Sequence, residues 1–124
     1  MRVALVLCSL LLGFAAVADE TANIDPAALL KRIESKDASL LVLDVRTPEE
    51  FAAGHVPGAV NIPYTYLPAR SAELASDKDL VIYCATGIRA GRAASRLREN
   101  GFTRLLHLDG DMTGWADSKR PVEK

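Results

Sequence analysis

Three apolar runs of strand length punctuate the chain: LLVLDV at 40–45, DLVIYC at 79–84 and RLLHL at 104–108. None of them alternates cleanly between apolar and polar, which is the pattern of parallel strands covered on both faces. Between the runs the apolar positions fall at helical spacing. Asp25-Pro26 offers an N-cap followed by a first-turn proline, and Ala28, Leu29, Leu30 and Ile33 then share a face, predicting a helix over 26–34. Thr47-Pro48-Glu49-Glu50 has the pattern of a capping box, in which the threonine hydroxyl accepts from the backbone three residues on and Glu50 reaches back. A short helix over 48–53, stopping at Gly54, should follow. In VPGAVNIP, at 56–63, Pro57-Gly58 makes a turn and Pro63 closes a very short strand. From Ile88 onward Ala93, Ala94 and Leu97 lie on one helical face, with Arg89, Arg92, Arg96 and Arg98 on the polar side, and Asn100-Gly101 marks the end. A short terminal helix near 113–116 is expected to carry Trp115 onto the core, and 19–24 reads as a short lead-in.

Strands alternating with helices over short connections predict an α/β domain with a mostly parallel sheet. Such sheets bind ligands at the carboxyl ends of their strands. Cys84 lies at one such end and Asp44-Val45-Arg46 at another.

The first twenty residues follow a different pattern. Arg2 precedes an apolar run from Val3 to Phe14, small residues stand at Ala16 and Ala18, and Asp19-Glu20 comes next. This is the layout of a secretory signal peptide with an A-x-A cleavage site. The apolar run is shorter than the ~20 residues that span a bilayer. Cleavage after Ala18 is therefore expected, leaving a single domain over 19–124 that is periplasmic or secreted and has no stable membrane association. Cleavage also removes Cys8, so Cys84 becomes the one cysteine of the mature chain and no intramolecular disulfide can form. Such a lone thiol is either buried and inert or exposed and used.

Composition narrows the field further. At 124 residues and 49% hydrophobic the chain is one domain's worth of sequence, and a monomer is expected. A net charge of −1 gives no global field toward nucleic acid or an anionic membrane, so any basic site must be local. One cysteine with two scattered histidines, His55 and His107, does not make a zinc site.

The stretch YCATGIRAG, 83–91, concentrates the candidate chemistry. After Cys84 the chain passes through Ala85, Thr86, Gly87 and Ile88 to Arg89 and enters a helix within a few residues. A tight strand-to-helix turn aims successive amide N–H groups at one centre, the helix N-terminus adds partial positive charge, and Gly87 permits a positive φ. Such surroundings favour a thiolate that needs no separate base. Arg89 can fold over the cradle and offer a planar fork to an oxyanion. The plainer alternative leaves Cys84 as a small apolar residue finishing a strand and Arg89 as a solvated side chain.

LLVLDVRTPEEFAAGHVPGAVNIPY and VIYCATGIRAGRAASRLRENGF together resemble the single-domain rhodanese family, of the small periplasmic sulfurtransferase kind, over nearly all of 23–118. The resemblance implies a central, mostly parallel five-stranded sheet with helices on both faces. It makes Cys84 a persulfide-forming nucleophile, has the amides of Ala85, Thr86, Gly87, Ile88 and Arg89 hold the sulfur, and puts Arg89 on an anionic donor. Thiosulfate or another sulfane donor would be the donor substrate, cyanide or a thiol the acceptor, and no metal or organic cofactor would take part. A sulfur-relay module that serves a protein partner without turnover is the alternative. Phosphatases of similar architecture have a loop one residue longer, whereas the four residues between Cys84 and Arg89 suit a sulfane sulfur.

Around this loop Asp44 is expected to form a buried structural ion pair and Arg46 to help bind the donor. The resemblance gives His55 a structural hydrogen bond, His107 reads as a core or sheet-edge residue, and the arginines of 88–100 as a solvated face. Two departures from the family stand out. Ala90 replaces a common Ser or Thr and removes a hydroxyl from the sulfur, which bears on donor preference. Leu-Asp-Gly-Asp-Met-Thr-Gly-Trp replaces a Gly-Gly before the tryptophan, and Lys119-Arg120-Pro121 a Gly-x-Pro; both are expected to touch only turn geometry.

Overall fold

A computed structural model describes residues 21–124. The expected signal peptide and its cleavage site lie outside the described residues. Ten regular elements follow one another: β1 (Ala22–Ile24), α1 (Pro26–Glu34), β2 (Leu40–Asp44), α2 (Pro48–Ala53), β3 (Val60–Asn61), α3 (Leu67–Arg70), β4 (Asp79–Tyr83), α4 (Ile88–Glu99), β5 (Leu105–Leu108) and α5 (Asp111–Asp117). Single 3₁₀ turns at Tyr64–Tyr66 and Ser71–Glu73 flank α3.

The five strands form one sheet in the order β1-β5-β4-β2-β3, and every pairing is parallel. β4 sits at the centre, with Val81 opposite Val42 of β2 and Leu106 of β5. Burial on both sides explains its unbroken apolar run, because successive side chains point to opposite faces. Leu80, Ile82 and Cys84 pack toward α4 and α3, among Leu43, Leu67, Ala90, Ala93, Ala94 and Leu97. Val81 and Tyr83 pack the other way, against Leu29 of α1, Val56, and Met112 and Trp115 of α5.

Two expectations about the elements change. The lead-in at 22–24 is a strand, held by pairing Asn23 with His107 and Ile24 with Leu108 at the sheet edge. The terminal helix begins at Asp111, two residues earlier than expected, directly after Gly110 at φ 78°. Its Trp115 is fully buried, and the indole Nε1–H donates to the Pro121 carbonyl at 2.8 Å.

Candidate active site

β4 delivers Cys84 to the carboxyl edge of the sheet, and the chain turns there into α4. Gly87 is the N-cap of that helix at φ 117°, a conformation that side chains other than hydrogen resist. Its amide N–H donates to Cys84 Sγ at 2.9 Å. The cysteine itself is only 1% exposed, so its sulfur is on the floor of the turn. Ala85, Gly87 and Arg89 are partly exposed around it, and Thr86 and Ile88 are exposed.

The turn is fixed from beneath by the start of α5. Met112 N–H donates to the Cys84 carbonyl at 3.0 Å and Thr113 N–H to the Ala85 carbonyl at 3.2 Å. A trans peptide opposes its C=O and its N–H, so with these two carbonyls turned to α5 the amides of Ala85 and Thr86 face away from it. Asp111 adds a third tie: its Oδ1 accepts the Cys84 amide at 3.0 Å.

Arg89 leaves the first turn of α4 and meets Glu50 of α2. Nη1 donates to Oε1 at 2.6 Å and Nη2 to Oε2 at 3.0 Å, a two-pronged guanidinium–carboxylate pair. Hydrogen bonding to Arg89, aided by the Thr47 amide and opposed by burial, holds the Glu50 carboxyl down at about 2. The predicted capping box is present as well: Thr47 Oγ1 accepts the Glu50 amide, and Glu50 Oε1 accepts the Thr47 amide, both at 3.2 Å. Glu50 thus has two roles, and only the local one was legible. Its partner is 39 positions away, which no local pattern reveals.

Arg46, expected to help bind the donor, has its guanidinium engaged within the protein. Nε and Nη2 clasp the fully buried Asp44 carboxylate, at 3.0 and 2.7 Å to Oδ2, and Nη2 also donates to the Gly54 carbonyl at 2.8 Å. With 6% of the residue exposed and its guanidinium carbon 5.7 Å from the Tyr83 ring centre, Arg46 joins β2 to the end of α2. Asp44 has the buried-pair role expected of it. Ala90 faces the core beside Cys84. His55 ties down the C-terminus: its backbone pairs with Glu123, its ring stacks on Phe51 at 3.6 Å, and Nδ1–H donates to the Phe51 carbonyl.

His107 and Asp111 also need correcting. His107 is more than a sheet residue, because its Nε2 lies 2.9 and 3.1 Å from the two oxygens of Asp111. Asp111 alters more than turn geometry, since its carboxylate joins the Cys84 amide to that imidazole. Hydrogen bonding to Asp111 raises the His107 pKa against the opposing effect of burial. The substitution at 111 was visible in the sequence as a departure; what its side chain would reach was not.

A family model for the rhodanese-like domain matches residues 25–118. The chain belongs to the rhodanese-like domain family. A protein of Allochromatium vinosum named sulfurtransferase is 38% identical over 100 residues, covering 81% of this chain and 92% of that one. The putative sulfurtransferase YtwF of Bacillus subtilis is 35% identical over 102 residues, covering 82% and 97%. Among solved structures, a rhodanese-related protein of Thermoplasma volcanium superposes with a TM-score of 0.72 at 29% identity, covering 82% of this rhodanese-like chain and 97% of its own.

Proposed function

We propose that this rhodanese-like domain is a sulfurtransferase that moves the outer sulfur of thiosulfate, or of a similar small anionic donor, to cyanide or a thiol through a Cys84 persulfide. The observation that carries this is the sulfur of Cys84 receiving the Gly87 amide at 2.9 Å at the N-terminus of α4. A negative sulfur placed there is stabilised by an amide, by the helix end and by the Arg89 cation close by.

The cycle has two displacements. Cys84 thiolate attacks the sulfane sulfur of thiosulfate, an S–S bond forms at Sγ, and the old S–S bond breaks with its electron pair leaving on sulfite. The persulfide's terminal sulfur is then attacked by cyanide, giving thiocyanate and returning the Cys84 thiolate. No proton or external electron is consumed in either step. Amides of the 85–89 turn and the guanidinium of Arg89 hold the donor's charge and the persulfide's. Arg89 reaches the donor by giving up part of its pairing with Glu50. We also place the mature domain outside the cytoplasm as a monomer, and N-terminal sequencing of the secreted protein checks cleavage after Ala18.

Thiosulfate-to-cyanide turnover, measured for wild type and for Cys84→Ser, tests the proposal. Activity should fall to background in the variant, and mass spectrometry should find one added sulfur atom on Cys84 after thiosulfate treatment without reductant. Absence of that sulfur overturns the proposal. Stoichiometric loading without turnover means a sulfur carrier instead of an enzyme.

A further inference from the structure

Behind the sulfur turn, between α4, β5 and β1, lies a cavity of about 330 Å³ with His107, Gly87 and Arg98 among its lining residues. The proposed cycle uses none of its polar side chains, yet the cavity backs directly onto the turn. A Cβ built on Gly87 would stand 3.2 Å from Asp111 Oδ2 and 3.6 Å from His107 Cε1. The pair therefore touches the turn twice: at Gly87, whose amide holds the sulfur, and at the amide of Cys84 itself. Asp111 is 2% exposed and sits at φ 53°, a left-handed conformation that disfavours an aspartate but sets this carboxylate under the cysteine. The His107 side chain is 30% exposed, so it can exchange protons with solvent through the cavity.

We propose that Asp111 and His107 form a positioning pair for the sulfur turn, in which the imidazole's proton decides whether the wall behind Cys84 is neutral or negative. With His107 protonated, imidazolium and carboxylate cancel. Once the proton is lost, the carboxylate charge next to the Cys84 amide is unbalanced and repels an approaching anion. Among the described residues, the other groups facing His107 are Asp109, just after its own strand, and Arg98 of α4 across the cavity, with uncharged Asn23 of β1 and Thr21 just before that strand. Asp109 acts on the imidazole in the same sense as Asp111. The hydrogen bond that the imidazole donates to Asp111 keeps it charged to a higher pH than an ordinary histidine. The switch therefore lies above pH ~6.5, where a free histidine titrates.

The consequence for donor affinity rests on the sulfur-transfer proposal, but the charge itself can be read without it. Iodoacetate and iodoacetamide alkylate the same thiolate, so the ratio of their rate constants at Cys84, followed by mass spectrometry of that peptide, cancels the thiolate fraction and reports local charge. In wild type the ratio should fall about three- to tenfold between pH 6 and 9, the effect of one charge at short range in a partly screened site. In His107→Gln it should be flat. Asp111→Asn keeps an oxygen for the Cys84 amide but removes the anion, and its inflection should move to lower pH. The KM for thiosulfate should rise over the same range in wild type and not in His107→Gln. A flat wild-type ratio, or a fall that survives in His107→Gln, overturns the inference and leaves sulfur transfer standing. The expected ratios without thiosulfate turnover support the pair and overturn the sulfur-transfer proposal instead.

Discussion

Replacing Glu50 with glutamine tests whether α2 is latched to the active-site turn by charge. The carboxyl lies near 2 in place of 4.5, with the hydrogen bond from Arg89 the largest cause. At about 1.4 kcal/mol for each tenfold change in proton affinity, that depression has a ceiling of about 3 kcal/mol. The Arg89 and Glu50 side chains are 26% and 34% exposed, so solvent screening brings the expected contribution down to about 1–1.5 kcal/mol. Glu50→Gln keeps one oxygen for the guanidinium and for the capping box, and should therefore lower stability by about 1 kcal/mol at pH 7. That is about 0.5–1 M in the urea midpoint for a domain of this size. The sign with pH follows from a depressed carboxyl: the stabilisation is complete above the unfolded value near 4.5 and is lost as pH falls toward 2. Urea titrations of wild type and variant at pH 7, 4 and 2.5 should therefore converge at the acid end. A gap that is absent at pH 7, or as wide at pH 2.5 as at pH 7, would refute the reasoning.

Gly87→Ala should lose about 1–2 kcal/mol from its positive φ alone, and the new methyl group must displace Asp111 or His107; a sulfur-transfer assay should show turnover reduced at least tenfold. Asp44→Asn leaves the buried Arg46 cation without its counter-charge and should destabilise by about 3–5 kcal/mol in thermal or urea unfolding, whereas unchanged stability would mean that Arg46 finds water.

The parts of the fold legible in the chain were those with a local physical cause. β2 and β4 carry runs of four consecutive apolar residues, and β5 one interrupted only at His107, because both faces of the sheet are covered there. α2 announces itself through Thr47 and Glu50, and the turn after Cys84 through Gly87. β1 was missed because its three residues owe their conformation to β5, and only Ile24 is buried. The site divides in the same way. Cys84, Gly87 and Arg89 lie within one short stretch, while the residues that hold them, Glu50 and Asp111, come from 39 and 27 positions away. Arg46 shows the same limit: nearness to a strand end suggests a ligand, and the pattern does not reveal that Asp44, two residues back, holds its guanidinium from both Nε and Nη2.

The sheet order has a bearing on how the chain survives its own folding. Its outermost strands are β1 and β3, three and two residues long. An unpaired strand edge is a template on which another chain can add, and the hazard grows with the length of that edge. The long apolar strand β4 lies between β2 and β5, and β2 is covered by β4 along its length and by β3 at Leu43 and Asp44, so the central run, the one most prone to intermolecular stacking, is out of a neighbouring chain's reach once the domain is closed.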